Sequence, residues 1–87
     1  MNDKTLKAFL IELTRFTRKH GVVIMAGNEG DSGDSWGVLR FRELGPKEKA
    51  GYYIVDENGE VHFVSERNEW HKEDIENARI SGKPPEG

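Results

Sequence analysis

Cysteine is absent from this chain, and that absence removes three chemistries together. There can be no disulfide, no thiolate-held zinc and no cysteine nucleophile. A chain without thiols fits a reducing compartment, so a cytoplasmic location is expected. Long apolar runs are missing too. None approaches the roughly 20 residues that a membrane-spanning helix needs, so no membrane partner is expected. The segment MNDKTLKAFLIELTRF has no uninterrupted apolar core and no small-residue cleavage site, and it does not read as a signal peptide. Apolar residues are scarce, at 34% against 33% charged, but eight aromatics offset the shortage because each buries a large area. With 87 residues the chain has room for one domain and a thin core, not for a large enclosed active site.

An excess of positive charge is also lacking. The net charge is −3, unevenly placed: residues 1–42 carry seven Lys+Arg against five Asp+Glu, and residues 43–87 carry six against eleven. The first part is mildly basic and the second acidic. An acidic total argues against general nucleic-acid affinity, which depends on neutralising phosphates.

What is present centres on one stretch, AGNEGDSGDSWG at residues 26–37. Gly27, Gly30 and Gly33 recur at three-residue spacing, Gly37 adds a fourth glycine, and Trp36 closes the run. Regular segments flank it. Asn2 or Asp3 can cap a first helix, in which Leu6, Phe9, Leu10, Leu13 and Phe16 form one apolar stripe. Arg18-Lys19-His20 suits the negative end of that helix, and Gly21 suits its termination. The pattern predicts a helix over residues 3–20. Residues 22–26, VVIMA, read as a buried strand. Residues 36–43 alternate with period two and read as a second strand. Residues 52–55 and 60–65 flank Asn58-Gly59, the hairpin signal. Residues 71–81 carry a short helical pattern, stopped by Gly82 and Pro84-Pro85. The expected fold is therefore α+β: an N-terminal helix packed on a four-stranded, mainly antiparallel sheet, with a short C-terminal helix. Residues 1–82 form the expected domain and 83–87 a flexible tail. Exposed strand edges make either a monomer or a homodimer compatible with this plan.

The run Thr17-Arg18-Lys19-His20-Gly21-Val22-Val23-Ile24 resembles a signature in small proteins encoded by tailed bacteriophages and prophages. There a helix ends in an Arg-Lys-His/Tyr-Gly segment and enters a strand. The strand leads into a loop with glycines at three-residue spacing, closed by an aromatic, as Gly27, Gly30, Gly33 and Trp36 are spaced here. Tyr52-Tyr53-Ile54-Val55-Asp56-Glu57-Asn58-Gly59-Glu60-Val61 is similar to that family's later hairpin. The resemblance implies a phage or prophage origin and a compact α+β fold, and it names no reaction. Family members often carry cysteines between the glycines. Glu29, Asp31 and Ser32 stand there instead, so a thiol or metal role does not transfer.

The glycine loop could in principle cradle a phosphate. Glu29, Asp31 and Asp34 would repel an anion, and a strand rather than a helix N-terminus follows. The same oxygens could hold calcium, although the spacing matches no EF-hand loop. The simplest reading is a solvated acidic connection, and contact with a partner is the next. His20, His62 and His71 show no metal-ligand spacing, and Ser32, Ser35 and Ser65 sit in no nucleophile motif. No cofactor, metal or catalytic set is expected. Arg15, Arg18, Arg40 and Arg42 offer a basic face for weak nucleic-acid binding. The acidic part is more suggestive, because Glu66, Glu69, Glu73, Asp74 and Glu76 surround Trp70. An exposed aromatic among carboxylates can dock on a basic site of a partner. The expectation is a non-catalytic, phage-type accessory protein that binds and modulates or inhibits a host protein, a defence nuclease being one form. The expected contact residues are Trp70, Glu69, Glu73 and Asp74, with Asp31 and Asp34 in the loop. The alternatives are an ion- or ligand-binding module on the loop and a weak nucleic-acid binder.

Overall fold

A computed structural model describes residues 2–27 and 38–85. Helix α1 spans Asp3–His20. It starts where expected, because the Asn2 side chain accepts the Thr5 N–H at 2.7 Å and satisfies one of the free donors of the first turn. It ends at Gly21, whose N–H bonds the Thr17 carbonyl at 2.8 Å. Strand β1, Val22–Gly27, pairs antiparallel with β2, Val38–Glu43, with Val23 opposite Arg42 and Ile24 opposite Phe41. A 3-10 turn at Pro46–Glu48 then leads to β3, Tyr52–Val55. Strand β4, Val61–Val64, returns beside it. A second 3-10 turn, Glu69–His71, runs into the short helix α2, Lys72–Glu76, and β5, Ile80–Ser81, closes the chain's regular structure.

The single four-stranded sheet expected from the sequence is not what forms. Among the described residues there are two sheets, a β1–β2 ribbon and a three-stranded sheet in the order β4-β3-β5. The reason lies at the free edge of β1. Leu44 donates to the Gly21 carbonyl, so the Ile24 N–H, three residues along, points away from β2 by the alternation of an antiparallel ladder. A further strand would have to claim that N–H. The Tyr53 hydroxyl takes it instead, at 2.9 Å. Meanwhile the other edge of β3 is filled by β5, with Ile54 opposite Ser81. The helical pattern over 71–81 is thus split: its start is α2 and its end is a strand.

Both faces of the three-stranded sheet are covered. Tyr53 and Val55 pack with Leu10, Val23 and Ile80 on the α1 side. Tyr52, Ile54 and Val64 pack with Ile75 and Ala78 on the α2 side. All four residues of β3 are buried, so β3 is the middle of the molecule. Gly82 lets α1 come close. A Cβ there would lie 2.5 Å from the Leu10 Cβ and 2.7 Å from the Tyr53 carbonyl oxygen.

The apolar stripe of α1 is only partly buried. Leu10 is buried, Leu6 and Leu13 half-buried, but Phe9 and Phe16 are 59% and 60% exposed. Thr14 and Thr17 take buried places instead. Thr14 Oγ1 donates to the Leu10 carbonyl at 2.8 Å and accepts the Tyr53 N–H at 3.2 Å. Thr17 Oγ1 shares a 2.7 Å bond with the Tyr53 hydroxyl. A polar thread therefore runs from α1 through Tyr53 to β1. Among the described residues no buried side-chain nitrogen or oxygen lacks a partner. At the C-terminal end Pro84 is buried, and Lys83 pairs with Glu66.

Candidate functional site

The most exposed large apolar side chain among the described residues is Trp70, at 87%. Its backbone is nevertheless fixed. Asn68 Oδ1 accepts the Trp70 N–H at 3.0 Å, and the Asn68 carbonyl accepts the His71 N–H at 3.0 Å. Glu69 opens the same turn, and Glu73 and Asp74 occupy the first turn of α2, all three exposed. Residues three and four positions apart on a helical path share a side, so Glu73 and Asp74 fall beside Trp70 and Glu73 above Glu69. The four residues Glu69, Trp70, Glu73 and Asp74 thus share one short arm, residues 69–78, with Asp74 also lining the cavity described below. Asp31 and Asp34 lie outside the described residues, as does the rest of the glycine loop. Glu66 is withdrawn from the acidic set by its pairing with Lys83.

Three attachments among the described residues hold the arm to the sheet. One is apolar, Ile75 and Ala78 on Tyr52, Ile54 and Val64. The second is the Asn68 N–H, which donates to the Ser65 carbonyl at 3.1 Å. The third is the His71 ring. The Ser65 N–H donates to His71 Nδ1 at 2.7 Å. A backbone N–H can only donate, so Nδ1 carries a lone pair and Nε2 the ring proton. Ser65 is fully buried, and its Oγ donates to the Lys47 carbonyl at 2.6 Å. Neither His71 nor Ser65 stood out as functional in the sequence, since no motif surrounds either. Their closeness does not make a nucleophile and base: the serine oxygen is buried and committed to Lys47, and the histidine nitrogen is taken by the serine backbone.

A cavity of about 190 Å³ opens between the β1–β2 ribbon, β4 and α2. Met25, Arg42, His62, Phe63, His71 and Asp74 are among its lining residues. Arg42 is not available there as a free cation. It holds Glu48 through a two-pronged contact, Nη1 to Oε1 at 2.7 Å with Nη2 on the other oxygen, and its Nε approaches Met25 Sδ at 3.1 Å. The hydrogen bond from Arg42 holds the Glu48 carboxyl below its ordinary range, and the same bond raises the guanidinium. Arg18 is likewise engaged, donating to the Gly51 and Ala50 carbonyls at 3.0 and 2.9 Å. Two of the four arginines of the expected basic face are thus tied to the fold.

At the hairpin tip, Asp56 Oδ1 accepts the Asn58 and Glu60 N–H groups at 2.8 and 2.9 Å, and Oδ2 meets His62 Nε2 at 2.8 Å. Gly59 sits beside them at φ +83°, the conformation this turn requires. The His62 contact and then the Glu60 amide hold Asp56 below its usual carboxyl range. Asp56, Glu60 and His62 place three possible ligand atoms within 4.8 Å of one another. Closing the turn accounts for that arrangement.

No protein family, curated protein or solved structure matches the chain. Among the described residues, no helix is long and apolar enough to cross a membrane.

Proposed function

We propose that this chain is a non-catalytic accessory protein of phage type that docks on a basic site of a host protein and so modulates or inhibits it. The observation that carries the reading is Trp70, 87% exposed on a turn whose backbone is pinned by Asn68. An indole held out in this way offers a large contact area without loss of backbone freedom on binding. Glu69, Glu73 and Asp74 beside it supply the charge that steers a basic partner. The engagement of Arg18 and Arg42 favours an acidic docking surface over a basic, nucleic-acid one.

The test is affinity capture from a bacterial host lysate, followed by binding measurements on the captured protein. Trp70→Ala combined with Glu69→Lys and Glu73→Lys is expected to abolish the interaction, and raised salt to slow association. Unchanged binding by the triple variant to every captured protein would overturn the proposal.

A further inference from the structure

We infer that His71 is a proton-operated latch, fastening the turn that carries Trp70 to Ser65 when its ring is neutral and loosening that turn when the ring is protonated. The Ser65 N–H is a buried donor with His71 Nδ1 as its acceptor, at 2.7 Å. A proton on Nδ1 turns that acceptor into a second donor facing the first, and the contact cannot survive. The Ser65 N–H is then buried without a partner, which native structures avoid. Moving the ring out relieves this, and the ring belongs to the turn that carries Trp70.

The surroundings bear on both ring states. From the 3-10 turn at Pro46–Glu48 comes the Glu48 carboxylate, whose ionisation is favoured first by the hydrogen bond from Arg42 and least by the charge of a protonated His71. The cavity lined by His71 also receives Arg42 from β2, His62 from β4 and Asp74 from α2. Glu48 and Asp74 favour an imidazolium that has swung off Ser65. Arg42 opposes one that stays. These charges act on the position of the ring, while the Ser65 contact accepts only the neutral form. The latch therefore responds to the protonation state of the ring, whatever the pH at which that changes. What release does to binding rests on the docking surface proposed above. The latch itself does not.

The experiment uses the free, full chain. Native-state amide exchange at Ser65 is followed by NMR with the His71 ring nitrogens, from about pH 8 to about pH 5. In the wild type the Ser65 protection factor is expected to fall about tenfold or more, in step with protonation of His71. His71→Asn keeps an oxygen at the Nδ1 position but cannot titrate, and it is expected to hold protection flat with pH. It also keeps the test open if His71→Ala fails to fold. His62→Gln is expected to leave the transition in place. The latch is refuted if Ser65 protection stays constant while His71 titrates, if His71→Asn shows the same transition, or if His62→Gln removes it. A partner that ignores Trp70→Ala while Ser65 still follows His71 would refute the docking surface and leave the latch standing.

Discussion

Tyr53→Phe removes one oxygen from the middle of the fold and tests whether the polar thread holds the two sheets and α1 together. That oxygen accepts the Ile24 N–H at 2.9 Å and shares a 2.7 Å bond with Thr17 Oγ1. Tyr53 has no exposed surface and Thr17 is 2% exposed, so water does not replace either bond. A neutral hydrogen bond contributes about 1 kcal/mol net, and a buried group left unpaired costs about 1–3 kcal/mol. Two orphaned partners, one fully and one partly buried, give about 2–3 kcal/mol in total. The ring remains, so its edge contact with Phe63, at 5.0 Å between centroids, is kept and no cavity opens. For a domain of this size the same loss lowers Tm by roughly 10–20 °C. Urea unfolding is the assay, and Cm is expected to fall with an unchanged slope. Adding Thr17→Val removes the second polar partner, and the double variant is expected to be more stable than the sum of the singles by about 1 kcal/mol. A loss below about 0.5 kcal/mol for Tyr53→Phe, or strict additivity in the cycle, would show that the thread is incidental to stability.

The other predictions concern the close approach, the ion pair and the arm. Gly82→Ala places a methyl 2.5 Å from the Leu10 Cβ and 2.7 Å from the Tyr53 carbonyl, and it should lower stability by about 1–3 kcal/mol in urea unfolding; an unchanged Cm would contradict the packing of α1 on β5. Glu48→Gln tests a sign. Its folded-state carboxyl is held below the ordinary value of 4.5, so its stabilisation is present above that value and lost as pH falls through the lower folded one. The stability gap between wild type and variant should therefore close on acidification from about pH 6 to about pH 3, and a widening gap would refute the assignment. Trp70→Ala is expected to change stability by less than about 0.5 kcal/mol while weakening partner binding at least about tenfold; a large loss of stability would mean that the indole packs on the fold in solution.

Local signals carried much of this architecture. Asn2 and Gly21 bracket α1 as capping chemistry requires, and Asn58-Gly59 announces the β3–β4 hairpin. The errors have a common origin in reading hydropathy as burial. Leu6, Leu10, Leu13 and Thr17 lie on one helical row, and Phe9 and Phe16 lie a row over. Periodicity favours the phenylalanines because they are apolar. It cannot register that Tyr53, far along the chain, brings a hydroxyl and an N–H that make Thr14 and Thr17 the better core residues. Strand β5 has two residues, too few to leave a pattern, and its place is set by β3. At the site, Trp70 was legible because it stands alone among charges. His71 was not, since its role depends on Ser65, six residues earlier, presenting a backbone N–H with no strand partner.

The exposure of Trp70 follows from how the arm is built. Covering an indole of roughly 200 Å² would yield up to about 5 kcal/mol, comparable with the whole stability of a small domain. The turn denies that gain from within. Asn68 takes the Trp70 and His71 amides, Ile75 and Ala78 commit the other side of the arm to the sheet, and His71 commits its base to Ser65. To fold the indole back, the chain would have to give up one of these attachments. Surface from another molecule can cover Trp70 without that sacrifice. Protonation of His71 removes one attachment and loosens the turn, so a partner that needs the pinned geometry should bind more weakly once the ring is protonated. His71→Asn should abolish that pH dependence while Trp70→Ala weakens the binding. Loss of both effects in His71→Asn would mean that the ring contacts the partner directly rather than holding the arm.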